Sequence, residues 1–232
     1  MSDKLRDKRI FIAGGTSGLG LAVAALAAKR GANLILASRS APERRAELTQ
    51  ILGQEITTQA LDVTSAAATS AALKGVGEID HLVVATRSAI TPAPFAQADL
   101  DQAKQAFETK FWGTCRLIQQ LAPRIRPAGS ITLTTGIAGE KIYPNQFAMA
   151  AMNGATETLC RTLAVELAPI RVNAVSPGFI APKPPEVETY ASQFPSGRLA
   201  DIEEAALTFI QLMENTYVTG ATLVVDGGAR LI

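Results

Sequence analysis

The chain carries little from which to build a metal centre, a disulfide framework or a polyanion-binding face. Its 232 residues include two cysteines, one histidine and one tryptophan, and aromatic residues make up only 5%. With His81 as the sole histidine, a multi-histidine zinc site is excluded and a Ser-His-Asp triad has one position only on which to build. Cys115 and Cys160 both fall in helix-like stretches, where two buried thiols in a reducing compartment are a simpler reading than a disulfide or a metal pair. There is no basic or acidic block and the formal net charge is +1. That argues against nucleic acid, whose affinity for proteins rests on clustered phosphate contacts. No run approaches eighteen uncharged apolar residues, so no membrane span is expected. The opening MSDKLRDKR lacks the apolar stretch of a signal peptide, and a cytoplasmic protein is the expectation.

What the chain does have is apolar material, 47% of residues against 19% charged, enough for one large core and too much for disorder. Short aliphatic and β-branched runs at 9–13, 33–37, 57–60, 81–85, 130–134, 171–175 and 222–225 read as strands. Helix-like stretches lie between them at 19–30, 42–52, 65–74, 100–121, 147–167 and 202–213. Strict alternation predicts βαβ units: a single α/β domain over 1–232, with a doubly wound, seven-stranded parallel sheet covered by helices on both faces. One stretch breaks the rhythm. At 181–198, Pro182, Pro184, Pro185 and Pro195 suggest an exposed loop over the strand ends, either a substrate loop or an ordinary irregular connection.

Chemistry enters at AGGTSGLG, residues 13–20, directly after the first strand and opening the first helix. Gly14 permits a tight turn, Gly18 lets the backbone approach a pyrophosphate, and Gly20 lets the helix pack on the sheet. Thr16, Ser17 and Leu19 complete the turn, and the helix N-terminus favours an anion there. The end of the second strand carries Ser38 and Arg39 where an NAD-specific site would have a carboxylate. A guanidinium and a hydroxyl suit the 2′-phosphate of NADP(H) instead, the alternative for Arg39 being a solvated surface side chain. Asp62 and Val63, after the third strand, would lie near the adenine.

Together with that turn, LDVT at 61–64, EIDHLVVAT at 78–86, LAVELAPIRVNAVSPG at 163–178, GRLADIEEAA at 197–206 and VTGATLVVDGG at 218–228 resemble the short-chain dehydrogenase/reductase family along nearly the whole chain. The resemblance implies a one-domain Rossmann fold, a nicotinamide cofactor and a small-molecule substrate. It also implies a homodimer or homotetramer sealed by the helices at 100–121 and 147–167. It puts Ala85, Thr86, Pro177, Gly178 and Ile180 beside the cofactor.

In that family a carbonyl or alcohol is processed by an Asn-Ser-Tyr-Lys tetrad. Aligned back from LCRTLAVEL, the Asn position falls on Lys110, the Ser on Gly136, the Tyr on Met149 and the Lys on Asn153. All four are changed while their spacing is kept. Met149 has no proton to give, Asn153 no charge and Gly136 no hydroxyl. Lys110 and Asn153 read as an exchange, the cation having moved to the other helix, where Lys110 would stand near the nicotinamide ribose and Asn153 would still touch cofactor; a solvated Lys110 is the alternative. Thr135 is the candidate hydroxyl to polarise a carbonyl, or else a cap on the fifth strand. Tyr143 and Lys141 are expected on a surface loop, and His81 as a structural strand residue. Three classes stay open: an NADP(H)-dependent oxidoreductase with a non-standard acid, an idle NADP(H)-binding protein, and an interaction subunit.

Overall fold

Strand by strand, side chains of alternating parity feed two different cores. In β1 (Arg9–Ala13), Ile10 and Ile12 point to one face of the sheet and Phe11 and Ala13 to the other. In β2 (Asn33–Ser38) the same split separates Leu34 and Leu36 from Ile35 and Ala37. A sheet buried on both faces requires this, and all six residues of β4 (Ile79–Val84) are buried. The computed structural model describes residues 4–232.

The remaining strands are β3 (Thr57–Ala60), β5 (Ile125–Thr134), β6 (Arg171–Pro177) and β7 (Thr222–Val225). All pair in parallel, in the order β3-β2-β1-β4-β5-β6-β7. On one face lie α1 (Gly18–Ala28), α2 (Arg45–Leu52) and α8 (Ile202–Glu214), burying Val23, Ala27, Leu48, Phe209 and Ile210. The other face is covered by α3 (Ala66–Leu73), α4 (Leu100–Phe107), α5 (Gly113–Leu121) and α6 (Phe147–Glu166), with Leu73, Leu117, Leu121 and Cys160 inside. Each such fully buried aliphatic side chain contributes about 1.5–3 kcal/mol. The expected single-domain, seven-stranded Rossmann fold is what forms. Its winding reverses between β1 and β4, and the crevice above their carboxyl ends is where such sheets bind ligands.

Two expectations need correction. The helix expected at 100–121 is interrupted: residues Glu108–Trp112 form a π turn between α4 and α5, with Lys110 at its centre. The Pro-rich stretch holds a short helix, α7 (Pro185–Ala191), started by a proline at its first turn, where the missing N–H costs nothing. Underneath it, Ala191 and Phe194 join Ile137 and Ala229 in a third, smaller apolar cluster, with Phe179 and Tyr190 packed against it. The segment is therefore anchored rather than free.

Candidate functional site

The switch-point crevice is a cleft of about 990 Å³. Its floor is the glycine turn. Gly14 lies so close to β4 that a β-carbon there would sit 2.5 Å from the Ala85 carbonyl oxygen, and one on Gly20 would meet the Gly14 oxygen at 2.2 Å. Gly18, at φ +50°, has nothing within 4 Å of the same probe position. The turn is thus closed toward the sheet and open toward the cleft. Ser17, the residue before α1, makes no side-chain cap, so its helix N-terminus offers unpaired N–H groups to an anion.

At the end of β2 the Thr16 hydroxyl donates to Ser38 Oγ at 3.0 Å, which leaves the Ser38 proton available for a ligand. Arg39 lines the cleft beside it. Sequence reasoning missed Arg44, whose guanidinium donates to the Thr16 carbonyl at 2.7 Å and forks onto Glu47 at 2.9 and 2.6 Å. It steadies the turn from behind. Asp62 also lines the cleft, but its carboxylate is held below the usual range by the Thr64 hydroxyl and N–H, at 2.7 and 3.0 Å. Of the other expected cofactor contacts, Leu19, Val63, Ala85, Thr86 and Ile180 line the cleft. Pro177 ends β6, Gly178 N–H is spent on the Val225 carbonyl at 2.9 Å, and Gly20 is buried in the turn, so these three shape the cleft from outside its lining.

Deeper in, the π turn aims Lys110 inward. Its side chain is buried (the residue is 8% exposed) and its Nζ donates to Asn153 Oδ1 at 2.7 Å. Asn153 passes the contact on, its Nδ2 donating to the Gly136 carbonyl at 3.1 Å. Asn153 does not line the cleft and reaches it only through Lys110. A side chain on Gly136 would begin 3.1 Å from that same amide nitrogen, so glycine at 136 and asparagine at 153 belong to one arrangement. Burial brings the Lys110 ammonium down to about 8, partly offset by the Glu157 carboxylate. Glu157 is a residue that sequence reasoning missed. It follows Asn153 by one helical turn on α6, and i,i+4 spacing was the available signal. Burial raises its carboxyl and a hydrogen bond from Thr135 lowers it. Thr135 lines the cleft at 4% exposure, its hydroxyl also 3.3 Å from the Val175 carbonyl. Met149 lines the cleft.

Other candidates lie elsewhere. Lys141 donates to the Ala229 carbonyl at 2.8 Å and also to that of Ile232, tying down the 229–232 segment, and Tyr143 packs edge-on against Phe179. His81 is 4% exposed and hydrogen-bonded through Nδ1 to Ser130 Oγ at 2.8 Å, in the half of β4 away from the cleft. Ser88 Oγ, in contrast, is buried at the cleft wall with no partner. A polar atom left orphaned in this way, an open anion turn and a free Ser38 proton match the needs of a bound dinucleotide.

Fold and cleft together define a nucleotide-binding α/β protein of the doubly wound class. A family profile described as enoyl-(acyl carrier protein) reductase matches residues 13–230. The short-chain dehydrogenase/reductase ucsE of Acremonium sp. is 30% identical, covering 99% of this chain and 98% of that one. Trans-4-hydroxycyclohexanecarboxylate dehydrogenase of Sinomonas cyclohexanicum is 31% identical, covering 98% and 95%. A solved small-chain dehydrogenase in complex with NADPH is 30% identical over 97% of this chain and all of that one, with a TM-score of 0.84. The chain belongs to the short-chain dehydrogenase/reductase family, whose members bind a nicotinamide cofactor and act on small molecules. Among the described residues no helix is long and apolar enough to cross a membrane.

Proposed function

We propose that the chain is an NADP(H)-dependent oxidoreductase for a carbonyl or alcohol group, with Lys110 replacing the family's tyrosine as the proton carrier. The observation that carries this reading is the 2.7 Å bond from Lys110 Nζ to Asn153 Oδ1 beneath the cleft. A buried ammonium of depressed pKa, with one partner and three protons, has donors to spare for a substrate oxygen. Ser38 and Arg39 would hold the 2′-phosphate, and the N–H groups around Gly18 and Leu19 the pyrophosphate. When bound, the nicotinamide supplies or accepts the hydride. In the reducing direction Lys110 gives one proton to the carbonyl oxygen, is left as the neutral amine and is reprotonated from solvent. Asn153 fixes its direction, and Gly136 and Thr135 fix Asn153 and Glu157 behind it. That one relative is named for an alcohol substrate and that a solved neighbour holds NADPH both support the reading.

Titration with NADPH and NADH, followed by the fluorescence of Trp112 or by melting temperature, tests the cofactor part. Equal affinities for the two would remove the role given to Arg39. A second reading, a chain that binds NADP(H) without turnover, is favoured by Met149 at the cleft wall. Carbonyl substrates should then react only after Gly136→Ser, Met149→Tyr and Asn153→Lys are combined; turnover by the natural chain, lost in Lys110→Ala, rejects that second reading. Assembly as a homodimer or homotetramer through α4–α5 and α6 is part of the same proposal, supported by the exposed Trp112 (53%) and Val165 (79%) on those helices.

A further inference from the structure

Charge is unevenly distributed along the cleft. Near β2 and β3 it holds Arg39 together with Asp62; near the ends of β4 and β6 and the π turn it holds Arg87, Lys110 and Lys183. Among the described residues no carboxylate lines that second half. Glu157, the acid that acts on Lys110, does not line the cleft and is engaged with Thr135. Arg87 and Lys183 enter no ion pair and no side-chain hydrogen bond among the described residues. The three cations come from three separate elements: the loop after β4, the π turn and the segment after β6. A crevice lined by cations with no carboxylate among them attracts an anion.

The dinucleotide does not account for them. Its pyrophosphate has the α1 N-terminus and its 2′-phosphate has Ser38 and Arg39, on the other half of the cleft. Resting on the NADP(H) reading above, we infer that the substrate carries a carboxylate or phosphate group, held at the cleft mouth by Arg87 and Lys183 while Lys110 faces the reacting oxygen. Both side chains are exposed at the rim, so they select and orient an anionic molecule rather than bury it.

The test uses benzoate, phenyl phosphate and the neutral benzamide as probes, titrated into the full chain saturated with NADPH and followed calorimetrically. NADPH affinity is measured first and separately. The expected result is at least about ten-fold tighter binding of one of the anions than of benzamide, as charge-assisted hydrogen bonds provide; which anion wins tells carboxylate from phosphate. Arg87→Gln and Lys183→Gln should each cut that preference several-fold and leave the NADPH dissociation constant unchanged. Two results overturn the inference while the cofactor reading stands: both anions binding no better than benzamide, or the two variants weakening NADPH and not the anion. Failure of NADPH itself to bind would sink the parent reading, and this one with it.

Discussion

Gly18 and Gly20 stand two residues apart, yet a methyl group added at each would meet opposite surroundings. At Gly20 it lies 2.2 Å from a backbone oxygen of the turn, so α1 must retreat from the sheet. Gly20→Ala is expected to cost roughly 3 kcal/mol, read as a melting temperature lower by several degrees. At Gly18 the methyl enters open space, with only the strain of a left-handed backbone, about 1 kcal/mol. Gly18→Ala should leave the fold in place and weaken NADPH at least ten-fold, because the space it fills is the space the pyrophosphate needs. Stability lost at 18 with affinity intact would contradict the turn assignment. Lys110 supplies the other residue-scale prediction. Its working form is the ammonium, and burial holds its pKa near 8 against the usual lysine value of 10.5. The protonated fraction therefore falls as pH rises through that point, and kcat/KM should drop about tenfold per pH unit above it. Lys110→Met should abolish the reaction at every pH while NADPH still protects the protein against heat. A rate flat from pH 7 to pH 9.5 would take the proton away from Lys110.

The element that decides the chemistry is the π turn. Regular α geometry through 108–112 would rotate Lys110 relative to α6, and such single wide turns, rare overall, are frequent at functional positions. A π turn accommodates one residue more than the helix needs, so α4 and α5 keep their faces on the core across it. Deletion of Thr109 should return the stretch to one continuous α-helix. Helical circular dichroism and NADPH binding should survive, while the Lys110–Asn153 bond and the turnover that depends on it are lost. Unchanged turnover in the deletion variant would show the turn to be incidental. The feature is hard to read from sequence because the phase shift of about 100° that one extra residue introduces falls between two helices of only 8 and 9 residues. Where pattern alone suffices, the reading is close: β1, β3 and β7 begin and end at the residues expected from the sequence. It is displaced where tertiary pairing extends a strand, as in β5, which starts at Ile125 opposite Ile79, before its apolar run begins. The short helix α7 hides because prolines signal a break, and only position tells a loop proline from one that opens a helix. In the site, the glycine turn and the meeting of Lys110 with Asn153 could be anticipated because their residues lie at fixed spacings. Arg44 and Glu157 carry local spacing signals, to Glu47 and Asn153, but the partners that give them a role, Thr16 and Thr135, are brought near only by the fold.

Over the whole molecule, the two ends of the sheet do different work. The carboxyl ends of the strands carry the cleft, with its under-satisfied donors; the amino ends carry closed polar contacts that hold the sheet together. There Asp80 accepts from Arg9 N at 2.9 Å and pairs with Lys8 at 3.1 Å and Arg126 at 3.3 Å, while His81 in the same strand is bonded to Ser130 on β5. Burial pushes the His81 imidazole down to about 4 from an ordinary 6.5. It is neutral in the folded chain and takes up a proton more readily once unfolded. The stability that follows is fully present above about pH 6.5 and is lost as pH falls toward 4, since acid favours the unfolded state over that window. From pH 7 to pH 5 the loss should be about 2 kcal/mol, most carboxylates being still ionised across it. Urea unfolding at the two pH values measures it directly. A His81→Gln variant keeps a side chain able to bond Ser130 but has no proton to gain, so its own stability should change far less between them. If the natural chain and the variant lose stability equally on acidification, the imidazole is not the group responsible, and the lower edge of the sheet is held by the Asp80 ion pairs alone.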